Sequence, residues 1–208
     1  MQHDYAPEQQ QTIATDHDAW VKTVYGNQLN LIAPESHQIQ IADIAHHLAY
    51  INRYNGATMA DRGLSLAVHA FFVSNYLYHK TKDAQLALHA LLHSAYKAYI
   101  GDLIAPVKAI PELAEPYEAL CNRVQNAILN ALDIPAMTAE QEEQIREARK
   151  IAKAIEVERY MTAESGFWFK GDINTKEFKD DYVVSHCSKA KSDYMSAYIF
   201  LSDKLKKH

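Results

Sequence analysis

The sequence predicts an all-α protein, folded as a single helical bundle, and two observations support this. Apolar residues recur at the three- and four-residue spacing of amphipathic helices along most of the 208-residue chain. No segment shows the sustained alternation of apolar and polar residues that indicates a half-buried strand. With 48% hydrophobic and 23% charged residues, the composition is that of a globular domain with one substantial core.

Six segments carry the helical spacing, and local signals mark several of their ends. The predicted helices span 41–52, 65–79, 83–100, 112–132, 139–161 and 189–205. Thr138 and Gln141 predict a capping box at the start of the fifth helix. Asn55-Gly56 and Gly101 predict breaks in the chain. These elements together favour a bundle of helices joined by short connections.

The remaining segments and the overall charge limit the classes of partner. The first 15 residues are polar and predict a mobile N-terminus, with 16–208 as the helical domain, and 165–181 predicts a long surface connection. The net charge of -5 predicts that the protein does not bind nucleic acid, because the chain has no overall positive field. No apolar run reaches the roughly 20 residues of a membrane span. Two cysteines, Cys121 and Cys187, form no disulfide framework, which predicts a cytoplasmic protein.

The most informative motif lies between Ala90 and Lys108. It reads Ala-Leu-Leu-His-Ser-Ala-Tyr-Lys-Ala-Tyr-Ile-Gly-Asp and continues to Pro-Val-Lys. This resembles the motif A-L-L-H-D-A-x-E-A-Y-I-G-D-x-x-x-P-x-K of the HD-domain nucleotide phosphohydrolases. The resemblance implies the fold of that family, a single HD-domain helical bundle.

Other segments extend the resemblance over about residues 20–161. Ile-Gln-Ile-Ala-Asp-Ile-Ala-His at 39–46, Asn-Arg-Tyr-Asn-Gly at 52–56 and Ser-Leu-Ala-Val-His at 65–69 are similar to family motifs. Ile-Arg-Glu-Ala-Arg at 145–149, followed by Glu156, is similar to the family's V-K-x-A-D and its downstream Glu. The whole pattern looks most like the branch with bacterial 5'-deoxynucleotidases and phage deoxyadenosine triphosphate triphosphohydrolases.

The resemblance implies a metal site from which two of the four ligands are missing. In the family, two His and two Asp side chains hold a divalent metal such as Zn, Co, Mn or Mg. The matching positions here are His69, His93, Ser94 and Arg149, and Lys97 replaces the catalytic Glu. Two imidazoles alone are a weak site, and a guanidinium repels a cation. We therefore expect no catalytic set to be intact, no metal cofactor, and His69 and His93 as the remnant ligands.

The same replacements predict a site that attracts anions. Lysine and arginine at the metal position are able to hold a phosphate directly, and no carboxylate ligand remains to oppose an anion. The resemblance implies that Arg53 and Lys108 face the phosphate, that Asp102 lies at the pocket mouth, and that Trp20 stacks on a base. The expected ligand-binding residues are Trp20, Arg53, His69, His93, Lys97, Asp102, Lys108 and Arg149.

The sequence thus predicts a degenerate HD protein, a pseudoenzyme that binds a nucleotide or related phosphate ligand with little or no hydrolysis. The resemblance also implies a homo-oligomer, a dimer or a hexamer, with the apolar residues of 194–201 as a contact surface. Three alternatives stay open: an active metal-dependent (deoxy)nucleotide phosphohydrolase, an inactivated variant of one, and an interaction protein without a ligand.

Individual residues have alternative interpretations as well. His69 and His93 are equally compatible with hydrogen-bonded core positions. Lys97 and Arg149 have the alternative of pointing to solvent or pairing with Glu156. His89 lies four residues before His93 on one helical face, which allows a relocated zinc site.

Overall fold

The structure is a computed structural model that describes residues 19–162, 173–178 and 182–206, and it is predominantly α-helical. The all-α fold class is therefore confirmed. The helices are α1 Ile41–Tyr50, α2 Leu66–Thr81, α3 Ala84–Leu92, α4 Lys97–Ile100, α5 Ala105–Lys108, α6 Pro111–Ala131, α7 Ala139–Tyr160 and α8 Cys187–Leu205. Within the described ranges, none of these helices combines the length and apolar character needed to cross a membrane.

Two predicted segments fall wholly or partly outside the described residues. The expected mobile N-terminus, 1–15, lies outside them, as does much of the connection 165–181. The described part of that connection contains a short 3-10 helix at Thr175–Phe178.

A short antiparallel hairpin, which the sequence did not predict, precedes the helices. Strand β1, Trp20–Lys22, pairs with strand β2, Gln28–Asn30. Strands of three residues are too short to produce a visible alternation of apolar and polar residues. The turn is fixed from outside, because the Asp43 carboxylate of α1 accepts from the Tyr25 backbone N–H at 3.2 Å and the Asn27 side chain at 2.6 Å.

The predicted helix 83–100 is interrupted, so this prediction was wrong at its centre. Helix α3 ends at Leu92, a turn follows, and α4 starts at Lys97. The side chain of Gln125 on α6 donates to the Leu92 carbonyl at 2.9 Å and accepts from the Tyr96 N–H at 3.2 Å. A distant residue therefore satisfies the backbone groups exposed at the break, which local sequence does not reveal.

The other boundaries agree with the sequence to within a few residues. Thr138 and Gln141 form the predicted capping box at the start of α7. Gly101 ends α4 at a φ of 77°, and Gly56 has the same φ in its turn. These positive φ values explain why glycine occupies both breaks.

The core forms where α2 packs against α3 and α8, and α1 packs against α8, α4 and α2. Buried apolar side chains of α3, among them Leu88 and Leu91, fill the centre. Tyr194 of α8 is fully buried there, and its hydroxyl donates to the Leu91 carbonyl at 3.1 Å. This bond fixes α8 against α3, the helix that leads into the break.

Replacing Tyr194 with Phe is expected to lower the free energy of unfolding by about 1 kcal/mol, because the Leu91 carbonyl loses its side-chain donor. Urea denaturation measures the change. Tyr198→Phe on the same helix is the control, since Tyr198 is only partly buried. Equal losses in the two variants would contradict a specific role for the Tyr194 hydroxyl.

Candidate functional site

Two histidines from neighbouring helices meet at the centre of the candidate site. His69 lies on α2 and is 2% exposed, and His93 directly follows α3. Their ring centroids are 5.4 Å apart, with one ring edge facing the other ring. The proximity expected for these residues is confirmed, and they are called the histidine pair below.

A buried carboxylate, Glu156 of α7, lies behind the pair and accepts hydrogen bonds from four residues. Its Oε2 accepts from Arg53 Nε at 3.1 Å and Nη2 at 2.8 Å, and from the Tyr54 hydroxyl at 2.6 Å. Its Oε1 bonds His69 Nδ1 at 2.7 Å and the Tyr182 hydroxyl. Glu156 therefore joins α7 to α2, to the loop after α1 and to the segment before α8.

The charge states at Glu156 follow from these contacts. Burial alone would raise the pKa of Glu156, but Arg53 and His69 outweigh it and hold the pKa below its usual range. Burial and the neighbouring Arg53 lower the pKa of His69 to about 4, although Glu156 opposes the shift. A neutral imidazole beside an ionised carboxylate carries its proton on Nδ1 and keeps a lone pair on Nε2.

His93 is held in the same tautomer by a different partner. Its Nδ1 lies 2.6 Å from the Ala90 carbonyl oxygen, which only accepts, so Nδ1 donates. Burial, followed by Arg149 and His69, lowers the pKa of His93 well below 6.5. Its Nε2 is shielded from solvent and has no hydrogen-bond partner in the described part of the chain. His93 therefore has a buried acceptor that remains unsatisfied.

Arg53 reaches Glu156 through a strained loop between Asn52 and Ser65. Tyr54 and Asn55 both have left-handed backbone, with φ of 56° and 53°. Non-glycine residues in sparsely populated backbone regions cost on the order of 1–3 kcal/mol each. The loop is closed at its base by the Arg53 N–H, which donates to the Leu64 carbonyl at 2.8 Å. Arg53 thus forms an ion pair with Glu156, although the sequence suggested that its guanidinium faces a phosphate.

Lys97 and Asp102 form a second ion pair, at 2.8 Å, with only 8% and 11% of the two side chains exposed. Burial lowers the pKa of Lys97 to about 8, with smaller contributions from Lys108 and Arg53, while Asp102 opposes the shift. Lys108 lies near this pair, with its ammonium 5.6 Å from the Tyr117 ring centre. Asp102 therefore neutralises Lys97, in addition to any role at a pocket mouth.

Unlike Arg53 and Lys97, Arg149 has no hydrogen bond or ion pair with any described residue. Its side chain is exposed, yet burial of its surroundings and the nearby Arg53 lower its pKa, while Tyr96 opposes the shift. Arg149 also contributes to the lowered pKa of both histidines, so its charge acts on the histidine pair.

The geometry decides several of the alternative interpretations. Neither Lys97 nor Arg149 pairs with Glu156, whose oxygens are occupied by Arg53, His69, Tyr54 and Tyr182. Glu156 and Asp102, which lie outside the metal-ligand positions considered in the sequence analysis, each neutralise one cation of the cluster.

Two further predicted positions, Ser94 and Trp20, lie in the turn after α3 and on strand β1. Ser94 is buried in the turn after α3, where its carbonyl accepts from the Lys97 N–H at 3.1 Å. Trp20 lies on strand β1 opposite Asn30 and is 40% exposed, so base stacking by Trp20 stays a prediction.

The donor set falls short of a metal site. The histidine pair has the right tautomers, since metal-binding imidazoles usually donate their other N–H to a carboxylate or carbonyl. The described residues contain no group of three or more His, Cys, Asp or Glu side chains able to hold one ion. Catalytic zinc normally uses three protein ligands, and neither Ser94 nor Arg149 supplies the missing ones. The same shortage applies to a site built on His89 and His93.

Three site residues were missed or left without a role by the sequence analysis. Tyr54 lies inside the Asn-Arg-Tyr-Asn-Gly motif, but nothing in the sequence indicated that its hydroxyl reaches α7. Tyr182 is 26 positions beyond Glu156, and Gln125 is 33 positions beyond Leu92. Contacts of such separation leave no periodic pattern in a single sequence.

The comparisons with known proteins give one relative and no family. No family model matches the chain. An uncharacterized protein of Rhodobacter capsulatus is 35% identical over 121 residues, which cover 57% of this chain. The match spans 61% of that relative's length. These comparisons leave the resemblance to HD-domain proteins as an expectation from the sequence motifs.

Replacing Glu156 with Gln is expected to destabilise the protein by about 3–5 kcal/mol, because Arg53 is left as an unpaired buried cation. Glu158→Gln, an exposed position on the same helix, should change stability by less than about 0.5 kcal/mol. Urea denaturation at neutral pH measures both changes. A loss below about 1 kcal/mol for Glu156→Gln would contradict the central role of the carboxylate.

The contribution of Glu156 to the free energy of unfolding should decrease as the pH falls. Its pKa is depressed in the folded state, so its contribution to stability is complete above the unfolded value of about 4.3. The contribution is lost as the pH falls from there towards the folded pKa. The difference between the parent protein and Glu156→Gln should therefore shrink in denaturation series below about pH 4.3.

Proposed function

We propose that this chain is a degenerate HD-type protein that binds a nucleotide or a related phosphate ligand with little or no hydrolysis. The observation that carries the proposal is Arg149, an exposed cation of α7 that has no hydrogen-bond or ion-pair partner among the described residues and whose charge acts on both histidines of the pair. Phosphate oxygens are the natural partners of a free guanidinium, because its planar N–H groups match them in geometry and charge.

The surrounding charges support an anionic ligand. Arg53 lies near enough to Arg149 and Lys97 to contribute to the lowered pKa of each, beyond the larger effect of burial. Lys108 contributes in the same way at Lys97. Glu156 and Asp102 offset two of these four cations, so the cluster keeps an excess of positive charge. That excess is smaller than the sequence suggested, and it is centred on Arg149 and Lys108.

Hydrolysis would need an activated water, and the described residues offer no evident means to produce one. Lys97 occupies the position of the family's catalytic Glu and is bound to Asp102, so it has no free carboxylate to accept a proton. A metal would lower the pKa of a bound water, but the donor set falls short of holding one. Binding without turnover is the activity that this chemistry favours.

An active metal-dependent phosphohydrolase is the second candidate, and the tautomers of the histidine pair favour it. Both Nδ1 atoms donate within the protein, which leaves both Nε2 lone pairs available to a ligand or an ion. For either candidate the proposal includes a cytoplasmic homo-oligomer, a dimer or a hexamer. Ile199 and Phe200 of α8, 53% and 45% exposed, supply apolar surface for such contacts.

Purine deoxynucleotides are expected to bind in the presence of a chelator, and Arg149→Gln should weaken binding by about tenfold to a hundredfold, as loss of a charged hydrogen bond implies. Calorimetry at low and high salt measures the affinities, and salt should weaken binding because it screens the charges. Lys150→Gln is the matched control, since Lys150 lies next on α7 but pairs with Glu147. Absence of nucleotide binding with or without metal would contradict the proposal, and rapid hydrolysis would favour the second candidate.

Combining Ser94→Asp, Lys97→Glu and Arg149→Asp is expected to exchange anion affinity for metal affinity. The new carboxylates would join the imidazoles of the histidine pair, which completes the ligand set that the resemblance implies. Elemental analysis and cobalt titration measure metal content, and circular dichroism verifies the fold. Ser94→Asp with Arg149→Asp alone separates metal binding from any recovered hydrolysis. A folded triple variant that holds no metal would contradict the HD interpretation.

A further inference from the structure

A groove follows the surface between α2 and α8. It consists of two cavities of about 300 and 260 Å³, which share Phe71 and Asp193 as lining residues. The lining positions recur every three or four residues over 68–78 on α2 and 189–201 on α8, so one face of each helix forms a wall. The charged lining residues, Asp193 and Lys189, pair with each other at 2.8 Å. The groove is therefore mainly apolar, and a third helix fits such a surface.

Two cations flank one end of the groove, where the rings of Tyr78 and Phe200 meet edge to face with centres 5.3 Å apart. The Lys82 ammonium lies 5.8 Å from the centre of the Tyr78 ring. The Lys204 ammonium lies 5.5 Å from the centre of the Phe200 ring. Neither lysine forms an ion pair with a described residue. This end, near the C-terminal ends of both helices, therefore attracts an acidic partner.

The first turns of α6 offer an apolar surface that the core does not cover. Ile110, which precedes α6, and Leu113 are 42% and 43% exposed. Leu113 lies at helical spacing from the partly buried Leu120 and the fully buried Val124, so all three share one helical face. The start of α6 thus extends beyond the core and leaves the end of its apolar face uncovered.

Acidic residues accompany this uncovered face. The segment 109–122 contains Glu112, Glu115 and Glu118 and no lysine or arginine. All three glutamates are exposed, and none forms an ion pair with a described residue. The N-terminal end of a helix also carries partial positive charge, and the C-terminal ends of α2 and α8 carry partial negative charge. Charge and helix dipoles therefore both favour an antiparallel approach of α6 to the groove.

We propose that the start of α6 in one copy of the chain docks into the α2/α8 groove of a second copy, antiparallel to both helices. Ile110 and Leu113 pack against the two rings at the end of the groove, and the glutamates of α6 face the two lysines. Because two different surfaces meet, the contact is either exchanged between two copies or repeated around a ring. The inference rests on the homo-oligomer proposed above, names its surfaces, and is independent of the ligand.

Charge reversal in the full chain tests the proposal, with sedimentation velocity at micromolar concentration as the measurement. The parent protein is expected to assemble. Lys82→Glu with Lys204→Glu reverses the groove, and Glu112→Lys with Glu115→Lys reverses α6. Each double variant should raise the concentration for half-assembly at least about tenfold, because like charges then meet. An equal mixture of the two should assemble again, since every groove then meets an α6 of opposite charge.

Two controls separate this contact from general effects of charge and of lost apolar surface. Lys22→Glu with Lys150→Glu makes the same change in net charge at exposed positions on β1 and α7, and should assemble like the parent protein. Leu113→Ser should weaken assembly, whereas Met137→Ser, at a residue of similar exposure, should not. Circular dichroism verifies the fold of every variant.

Each outcome decides the inference. A monomeric parent protein would overturn it together with the proposed homo-oligomer, while nucleotide calorimetry decides the ligand separately. Assembly that survives both double reversals, or a mixture that stays monomeric, would overturn the inference alone. If a charge variant fails to fold, Leu113→Ser decides, because its side chain is exposed, and unchanged assembly of that variant would overturn the inference.

Discussion

The candidate site depends on one buried carboxylate. Glu156 has no exposed surface, and an isolated charge at such a position would be costly. Arg53 supplies the opposite charge, and three further donors from α2, the loop after α1 and the segment before α8 occupy the remaining lone pairs. The strained backbone at Tyr54 and Asn55 persists because it brings the Arg53 and Tyr54 side chains to this carboxylate.

The same interaction determines which residues are free to meet a ligand. Arg53 forms an ion pair with Glu156, and Lys97 forms one with Asp102. Neither cation therefore has its full charge available to an anion. Glu156 also fixes the tautomer of His69, so the edge of the imidazole remote from Glu156 has a lone pair. The four cations are therefore not equivalent, because Arg149 and Lys108 form no ion pair with a described residue.

The sequence predicted what depends on local pattern and missed what depends on distant contacts. Helical spacing located α1, α2, α6 and α7 to within two residues, and the motifs correctly brought His69 near His93. The break after α3 depends on Gln125, and the ion pair of Arg53 depends on a carboxylate 103 positions away. Opposite charges are common along any chain, so only the fold decides which of them pair.

These pairings also explain how the helices pack around a site without a complete metal-binding set. A cluster of buried carboxylates repels itself unless a cation lies among them, so such a site couples folding to metal. Here a neutral Ser94 occupies one buried position, Arg149 stays where solvent reaches it, and the two remaining carboxylates have cationic partners. Glu156 and Asp102 are therefore neutralised by side chains of the protein itself. The proposed anion binding at Arg149 would in this way be separated from stability, because Arg149 takes no part in the ion pairs that hold the helices together.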